Sequence, residues 1–281
     1  MNPTSPIVLT TDFGLSDYYV GVMKGVILGI NPNANIIDLT HYVPPQNIRQ
    51  AAFILGVNHK FFPAGAIQVA VVDPGVGTQR RAILLITPDA RFLAPDNGLL
   101  SHVLREYVKH PPDEPGDIQV PSQCSAYQLT APQFWVQPLS STFHARDVFA
   151  PVAAHLSNGI LPSELGVPVQ ELQWLPCPVP VWLDGMATGE VIYIDHFGNL
   201  VTNFMASDLP DPTVLTVEVR THRISGINHT FHNQDDSSDA SLIALVGSHR
   251  YLEIAVPDGN AASKLGMAVG EPVRVIWETS A

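Results

Sequence analysis

The stretch that decides the fold is IVLTTDFGLSDYYVGVMKGVILGINPNANIIDL, residues 7–39. It opens with an apolar run at Ile7–Thr10 and closes with another at Ile36–Leu39, and both have the length of buried strands. The segment between them places apolar residues at helical spacing, at Val20, Met23 and Ile27. We expect this helix to use Ser16 as its N-cap and to end at Asn31-Pro32. The stretch therefore predicts a β-α-β unit.

The same alternation continues along the next hundred residues. The pattern predicts a helix at 47–58, strands at 67–73 and 82–87, a helix from about 97 to 108 and another from about 146 to 157. Strands that alternate with helices are typical of an α/β domain with a largely parallel central sheet.

The pattern changes after the proline-rich stretch 174–180. Short strands are predicted at 190–194, 214–219, 242–246, 251–256 and 273–277. Several short strands separated by turn residues indicate a small all-β barrel or sandwich. We therefore divide the chain into an α/β domain over 1–175, a linker over 176–185 and a β-barrel domain over 186–281.

Composition narrows the class of function. The chain has 281 residues, of which 46% are hydrophobic and only 14% charged, and its formal net charge is −12. Such acidity disfavours a nucleic-acid or anionic-membrane partner, and the low charge content favours buried subunit contacts. No apolar run is long enough for a membrane helix and no signal peptide is indicated, so we expect a cytoplasmic protein. Cys124 and Cys177 form no CxxC pair and indicate no thiolate metal site.

Two aspartates directly follow predicted strands. Asp12 follows the first strand, and Asp73 follows the apolar run 67–72 of the strand predicted at 67–73. Ligands of open α/β sheets bind outside the carboxyl ends of strands, where a carboxylate can hold a ribose diol. Asp12 can equally cap its own loop. No Gly-x-Gly-x-x-Gly motif is present, which disfavours ordinary dinucleotide binding.

Two further stretches of the first domain combine acidic and basic side chains. In DPGVGTQRR, residues 73–81, the glycines form either a phosphate cradle or a turn that pairs Asp73 with an arginine, and no Walker A lysine follows. In STFHARDVFAP, residues 141–151, His144, Arg146 and Asp147 precede a helix. Taken alone, each stretch also fits a structural turn or a helix cap.

The second domain carries two candidate ligand loops and one weak metal candidate. IDHFGNLVTN, residues 194–203, could hold a flat heterocycle or could be a hairpin turn, and GSHRYLEIAVPDGNAA, residues 247–262, fits a hairpin with a tight Asp-Gly turn. His229 and His232 lie near Asp235 and Asp236, but no further ligand is placed by the sequence. We predict no metal site.

Together these stretches resemble one family over nearly the whole chain. The carrying motifs are TDFG at 11–14, VVDPGVGTQRR at 71–81, APDNGLL at 94–100, TFHARDVFAP at 142–151, IDHFGNLVTN at 194–203 and GNAA at 259–262. They are similar to those of the S-adenosylmethionine hydroxide adenosyltransferases, which are homologous to fluorinating and chlorinating enzymes. The resemblance implies an α/β domain and a β-barrel, a homotrimer with sites between subunits, and hydrolysis of S-adenosylmethionine to adenosine and methionine without a cofactor.

The resemblance also implies roles for single residues. Asp73, Arg80 and His144 match the catalytic set, with the glycines as a spacer that folds Arg80 towards Asp73. Asp12 matches the ribose contact. The methionine contacts fall on Asp17, Asp195 and Ser248, and the adenine frame falls on Phe197, Asn199, Asn260 and Ala261.

Departures from the halogenating relatives separate the competing functions. Those enzymes resemble TFYSR or TFYGR where this chain has His144 and Ala145, and they carry a long insertion where segment 82–91 is short. Gln46 stands at the place of a tryptophan and His249 at the place of an arginine. The His144-Ala145 pair and the short segment favour water over halide, whereas Gln46 and His249 bear on the stacking and carboxylate contacts with the substrate. The third reading is a non-catalytic protein that binds S-adenosylmethionine or adenosine, which would need no Asp73–Arg80–His144 set.

Overall fold

The protein is described by a computed structural model over residues 5–211, 214–231 and 242–278. Its contacts divide the chain into two compact units, an N-terminal unit that ends at Cys177 and a C-terminal unit that begins at Pro178. Among the described residues no helix has the length and apolarity needed to cross a membrane.

The N-terminal unit contains nine strands and five α-helices in its described part. The strands are β1 Ile7–Thr11, β2 Ile36–Thr40, β3 Ile67–Val71, β4 Ala82–Ile86, β5 Arg91–Pro95, β6 Gly116–Gln119, β7 Ser125–Leu129, β8 Gly166–Val169 and β9 Glu171–Trp174. The helices are α1 Tyr19–Ile30, α2 Ile48–Asn58, α3 Ser101–Leu104, α4 Ala150–Ser157 and α5 Pro162–Leu165. A 3₁₀ turn, His59–Phe61, follows α2, and a π-helical turn, Ala145–Phe149, precedes α4.

The predicted α/β fold of this unit is confirmed, with a mixed central sheet. The strand order is β2-β1-β3-β5-β4-β7-β8. The β2-β1-β3-β5 pairings are parallel, whereas β5-β4, β4-β7 and β7-β8 pair antiparallel. Strands β1 and β3 are buried along their whole length. Continuous apolar runs are typical of strands that are covered on both faces of the sheet. Here α1 and α4 pack on one face.

The C-terminal unit is all-β apart from one short helix, as predicted. Its elements are β10 Val181–Leu183, β11 Met186–Ile194, β12 Leu200–Met205, β13 Leu215–Val219, β14 His222–Ser225, β15 Ile243–Val246, β16 Tyr251–Ala255, α6 Ala261–Leu265 and β17 Pro272–Trp277. The sheet runs β14-β13-β17-β11-β12-β16-β15, with β10 paired to β11, and these pairings are antiparallel. The Asn228 N–H donates to the carbonyl of Ala244 on β15, which nearly closes the sheet into a barrel.

Three predicted elements need correction. Ser16 is not the N-cap of α1, because the helix begins at Tyr19 with no side-chain cap. The helix expected at 97–108 shrinks to α3, since the Asn97 side chain instead donates to the Val72 carbonyl and accepts from the Leu99 N–H. The helix expected from Arg146 starts as a π-helical turn.

Candidate functional site

Asp12 and Asp73 emerge side by side from the sheet. Thr11, the last residue of β1, is in register with Val71, the last residue of β3. The chain leaves β1 for β2 on one side and later returns to β3 on the other, so this edge is a topological switch point. Ligands of open α/β sheets bind at such a point. The topology therefore places both carboxylates where a ligand is expected.

The loop after β3 folds Arg80 back onto Asp73. It consists of two successive turns, in which the Val76 N–H donates to the Asp73 carbonyl and the Thr78 N–H donates to the Gly75 carbonyl. Both N–H groups are used inside the loop, so they form no phosphate cradle. Gly77 has a φ of +77°, and a Cβ there would lie 2.1 Å from the Ser141 carbonyl oxygen. A glycine is thus needed to bring this loop against the segment that carries His144.

Arg80 joins the two side chains that the resemblance paired with it. Its Nε donates to Asp73 Oδ1 at 3.0 Å, and its Nη2 donates to Asp73 Oδ2 and to His144 Nδ1, the latter at 2.9 Å. The side chains of Arg80 and Asp73 are only 9% and 5% exposed. The guanidinium lies over the Phe149 ring, 5.6 Å from its centroid. The pair is therefore a fixed, buried unit rather than a surface ion pair.

The π-helical turn follows directly from His144. Pro151, at the start of α4, has no N–H for the Asp147 carbonyl, which instead accepts from the Val136 N–H at 2.9 Å. The Ala150 N–H reaches back to the Ala145 carbonyl, five residues earlier. Turns of this kind are frequent at functional sites.

The protonation state of His144 follows from its contacts. Burial, followed by the positive charge of Arg80, lowers the pKa of His144 below its ordinary value of 6.5, against the weaker opposing effect of Asp73 and Asp147. The imidazole is therefore neutral at pH 7. Arg80 has only donors, so Nδ1 must be the accepting nitrogen, and the proton is on Nε2.

A cavity of about 330 Å³ opens beside this set. Asp12, Asp73 and His144 line it together with a group of mostly apolar neighbours: Phe13, Tyr19, Pro45, Gln46, Val71, Pro74, Val76, Thr142, Phe143 and Ala145. Arg80 is not among the lining residues and contacts Asp73 and His144 from the protein side. Asp12 Oδ2 accepts from the Gln46 N–H at 2.7 Å, and Gln46 has a φ of +64°.

Other charged residues of these motifs have structural partners. Asp147 is fully buried, pairs with Arg146 and accepts from the Ser140 N–H at 2.8 Å. Arg81 pairs with Asp96 and donates to the Glu171 carbonyl. Asp17 lies exposed on the loop before α1 and is not among the cavity-lining residues.

The C-terminal unit has a larger cavity of about 1000 Å³. Five of the predicted contact residues line it: Asp195, Phe197, Asn199, Ser248 and Asn260. Phe197 is 71% exposed, so its ring is available for stacking. Ala261, in contrast, is fully buried at the start of α6 and contributes to the frame rather than the surface.

The polar groups of this second cavity hold their own turns. Asp195 Oδ1 accepts from the backbone N–H groups of Phe197 and Asn199, and its Oδ2 accepts from Asn199 Nδ2. Asn260 caps α6 by accepting from the Ser263 N–H at 2.7 Å. These bonds shape the cavity wall and place the exposed Phe197 ring.

The sequence-based prediction missed two features of the cavities. Glu253 lines the C-terminal cavity, is 6% exposed, and pairs with His249 at 2.7 Å. An acidic residue within the apolar run of β16 was the available signal. Tyr19 and Phe143 pack edge to face at 5.1 Å in the N-terminal cavity, and no local pattern marks that pair.

Family models decide the classification. The model of the SAM hydroxide adenosyltransferase N-terminal domain matches residues 7–166, and that of the C-terminal domain matches residues 189–274. The chain belongs to the SAM hydroxide adenosyltransferase family. The resemblance inferred from the motifs is therefore confirmed, and the two matched domains fall in the two units of the fold.

A curated hydrolase and a solved structure are each similar to nearly the whole chain. An (R)-S-adenosyl-L-methionine hydrolase of Thermus thermophilus is 37% identical over 273 residues, which is 96% of this chain and 99% of that protein. A conserved protein of Thermotoga maritima has a crystal structure with a TM-score of 0.84, at 34% identity over 96% of this chain and 99% of that one. A fluorinase of Actinoplanes sp. is more distant, at 27% identity over 72% of each chain.

Proposed function

We propose that this protein hydrolyses S-adenosyl-L-methionine to adenosine and L-methionine. The observation that carries the proposal is the contact of Asp73, Arg80 and His144 beside the N-terminal cavity. The family membership and the hydrolase activity named for relatives at 37% and 38% identity support it. A protein that only binds the substrate would have no use for a buried, mutually bonded acid–base set.

The reaction is a displacement at the 5′ carbon. The water oxygen forms a bond to this carbon as the carbon–sulfur bond breaks, and its electron pair stays on sulfur, which leaves neutral in methionine. One proton is released, so the cationic sulfonium and water give adenosine, methionine and H⁺. The sulfonium is a good leaving group, and the demanding part is to position the water in line with it.

The water is not converted to free hydroxide before it attacks. A guanidinium about 4 Å from the water is worth roughly 4 kcal/mol at an effective dielectric of about 20. That lowers the pKa of the water by about three units, which still leaves it far above neutrality. The proton therefore leaves as the carbon–oxygen bond forms.

Asp73 is the better acceptor of that proton in the described geometry. His144 is not free to accept it, because its Nδ1 accepts from Arg80 and its Nε2 carries the proton. Asp73 lines the cavity, and each of its oxygens keeps a free lone-pair direction beside the Arg80 bonds. In this arrangement Arg80 positions both groups, His144 donates Nε2–H to the water, and Asp73 accepts from it.

The proposal also covers the assembly, the cofactor requirement and the location of the protein. The low charged fraction of 14% and the family resemblance support a homotrimer with sites at subunit interfaces, checked by light scattering at micromolar concentration. A fully active monomer would contradict it. The reaction needs no cofactor, which is checked by unchanged turnover after dialysis against a chelator. The protein is cytoplasmic, which cell fractionation tests.

The test of the activity is direct. The purified protein is incubated with S-adenosylmethionine in H₂¹⁸O, and the nucleoside product is identified by chromatography and mass spectrometry. We expect adenosine labelled at the 5′ oxygen together with methionine, even at high halide. A 5′-halogenated nucleoside as main product favours the halogenase alternative, and substrate recovered unchanged favours a binding protein.

A further inference from the structure

A histidine that the proposed chemistry does not use lies at the opposite edge of the N-terminal sheet. His59 begins the 3₁₀ turn after α2 and is 1% exposed. Asp89 lies in the turn between β4 and β5, just before the start of β5, whereas Asp73 follows the carboxyl end of β3. Since β3 and β5 run parallel, five strand residues, about 16 Å, separate the two edges.

The two ring nitrogens of His59 have different environments. Nδ1 lies 2.9 Å from the Gly56 carbonyl oxygen, which can only accept, so Nδ1 carries the proton. Nε2 is buried and has no hydrogen-bond partner among the described residues. The ring packs edge to face on Phe92 at 5.4 Å, which fixes its direction. A buried lone pair without a donor is unfavourable, and this one is held in place.

Two carboxylates lie close to the imidazole of His59. His59, Asp89 and Glu106 each offer one possible ligand atom, and these three atoms lie within 4.8 Å of one another. Both carboxylates are exposed, so their oxygens can move. Zn²⁺ binds imidazole nitrogen and carboxylate oxygen at about 2.0–2.2 Å, and closing the triangle onto an ion requires inward movements of less than about 1 Å.

We propose that His59, Asp89 and Glu106 bind a divalent transition-metal ion of the Zn²⁺ class, with solvent in the remaining position. Metal-binding histidines commonly donate one ring N–H to a backbone carbonyl, which directs the other ring nitrogen at the ion. The Nδ1–H of His59 makes this contact with the Gly56 carbonyl. Imidazole in the set favours Zn²⁺ over Mg²⁺ or Ca²⁺. The ion joins three segments that are far apart in sequence, and therefore acts on stability rather than on the chemistry at Asp73.

A lysine competes for this site. Lys60 Nζ lies 2.5 Å from Glu106 Oε2 and is 56% exposed. Tyr107 donates to Asp89 Oδ2 at 2.7 Å, and this leaves Asp89 Oδ1 for the ion. Binding must displace the Lys60 ammonium from Glu106. Removing that ammonium is therefore expected to strengthen binding, a result that a merely structural ion pair would not give.

The test uses the full-length protein stripped with chelator and then titrated with Zn²⁺ by calorimetry, and with Co²⁺ by visible absorption. We expect one ion per chain and a higher Tm with Zn²⁺. Asp89→Asn and Glu106→Gln should each weaken binding at least tenfold, and Lys60→Ala should tighten it several-fold. The matched control Asp113→Asn removes an exposed carboxylate outside the cluster and should change nothing.

Two outcomes would overturn the proposal. One is the absence of binding at about 100 μM Zn²⁺, since a specific site should bind its ion at or below this concentration. The other is binding that survives both carboxylate substitutions and is lost in His144→Ala, which would place the ion in the reaction cavity. Because Asp89 and Glu106 are exposed, their variants are expected to fold, and the Tm without metal verifies this.

Discussion

The two cavities of this molecule use polar side chains in opposite ways. In the N-terminal unit, Arg80 bonds to Asp73, seven residues earlier, and to His144, 64 residues later. In the C-terminal unit, Asp195 bonds to groups two and four residues further along its own turn. The first arrangement fixes reactive groups relative to each other, whereas the second fixes the shape of a wall. We therefore expect substitutions in the first to affect turnover and substitutions in the second to affect binding.

The largest expected effect is on turnover in the N-terminal unit. Arg80→Lys keeps the charge but loses the planar fork that holds Asp73 and His144 together. Steady-state kinetics should show kcat lowered roughly tenfold to a thousandfold with KM nearly unchanged. Arg81→Lys is the matched control, since that arginine pairs with Asp96 away from the cavity. If Arg80→Lys and His144→Ala both kept wild-type turnover, the catalytic assignment would be wrong and the motif would be only a structural turn.

A smaller effect is expected where contacts hold the substrate before reaction. Asp195→Ala removes the three hydrogen bonds that shape the C-terminal cavity wall, and Asp12→Ala removes the predicted ribose contact. KM should rise about tenfold in each, with kcat changed much less, because such contacts exist in the ground state as well. If Asp195→Ala lowered kcat as strongly as Arg80→Lys does, the division of labour between the cavities would be wrong.

Two glycines, one near each cavity, test the same difference between the two units. Gly77 and Gly198 both have positive φ, but a Cβ on Gly77 meets the Ser141 backbone, whereas one on Gly198 meets the Asn260 side chain at 2.2 Å. Each change to alanine should cost about 1–3 kcal/mol of unfolding free energy, measured by urea denaturation. Gly77→Ala should lower kcat several-fold and Gly198→Ala should mainly raise KM. Identical kinetic profiles for the two variants would contradict this.

The smallest effect concerns pH. Burial and Arg80 hold the pKa of His144 below 6.5, so this imidazole stays neutral from pH 8 down to about 6.5 and gains its proton only in more acidic solution. Protonated Nδ1 cannot accept from Arg80. We expect kcat to vary less than about twofold between pH 6.5 and 8 and to decline below that range. His144→Gln offers an oxygen acceptor that does not titrate there, and should lose the acid decline.

Local pattern predicted the parts of the fold that are buried on both faces. Strands β1 and β3 are continuous apolar runs, and α2 begins after Asn47, whose side chain accepts from the Gln50 N–H. Strand β5, which starts at Arg91 and ends at Pro95, was missed because its pairing with β3 and β4, rather than its own composition, makes it a strand. Of the antiparallel half of the sheet, β4 was predicted at 82–87, whereas β7 and β8 were missed.

The candidate site was predictable only in part from local sequence. Asp73 and Arg80 are seven residues apart, and a glycine turn between them indicates pairing. His144 joins them through the close approach of Gly77 to Ser141, a contact between distant segments that no periodicity encodes. The motif resemblance supplied that link. It did not supply the orientation of the imidazole, which depends on which nitrogen Arg80 contacts.

The π-helical turn at Ala145–Phe149 has a consequence for how this chain could vary. A π-helical turn has the geometry of an α-helix that carries one inserted residue, and each residue of an α-helix turns the chain by about 100°. Deleting one residue between Ala145 and Phe149 would let the helix continue regularly and rotate His144 out of reach of Arg80. The number of residues in this turn therefore sets the direction in which His144 points. We expect a deletion or insertion there to disrupt the contact with Arg80, whereas a substitution leaves the residue count, and so this direction, unchanged.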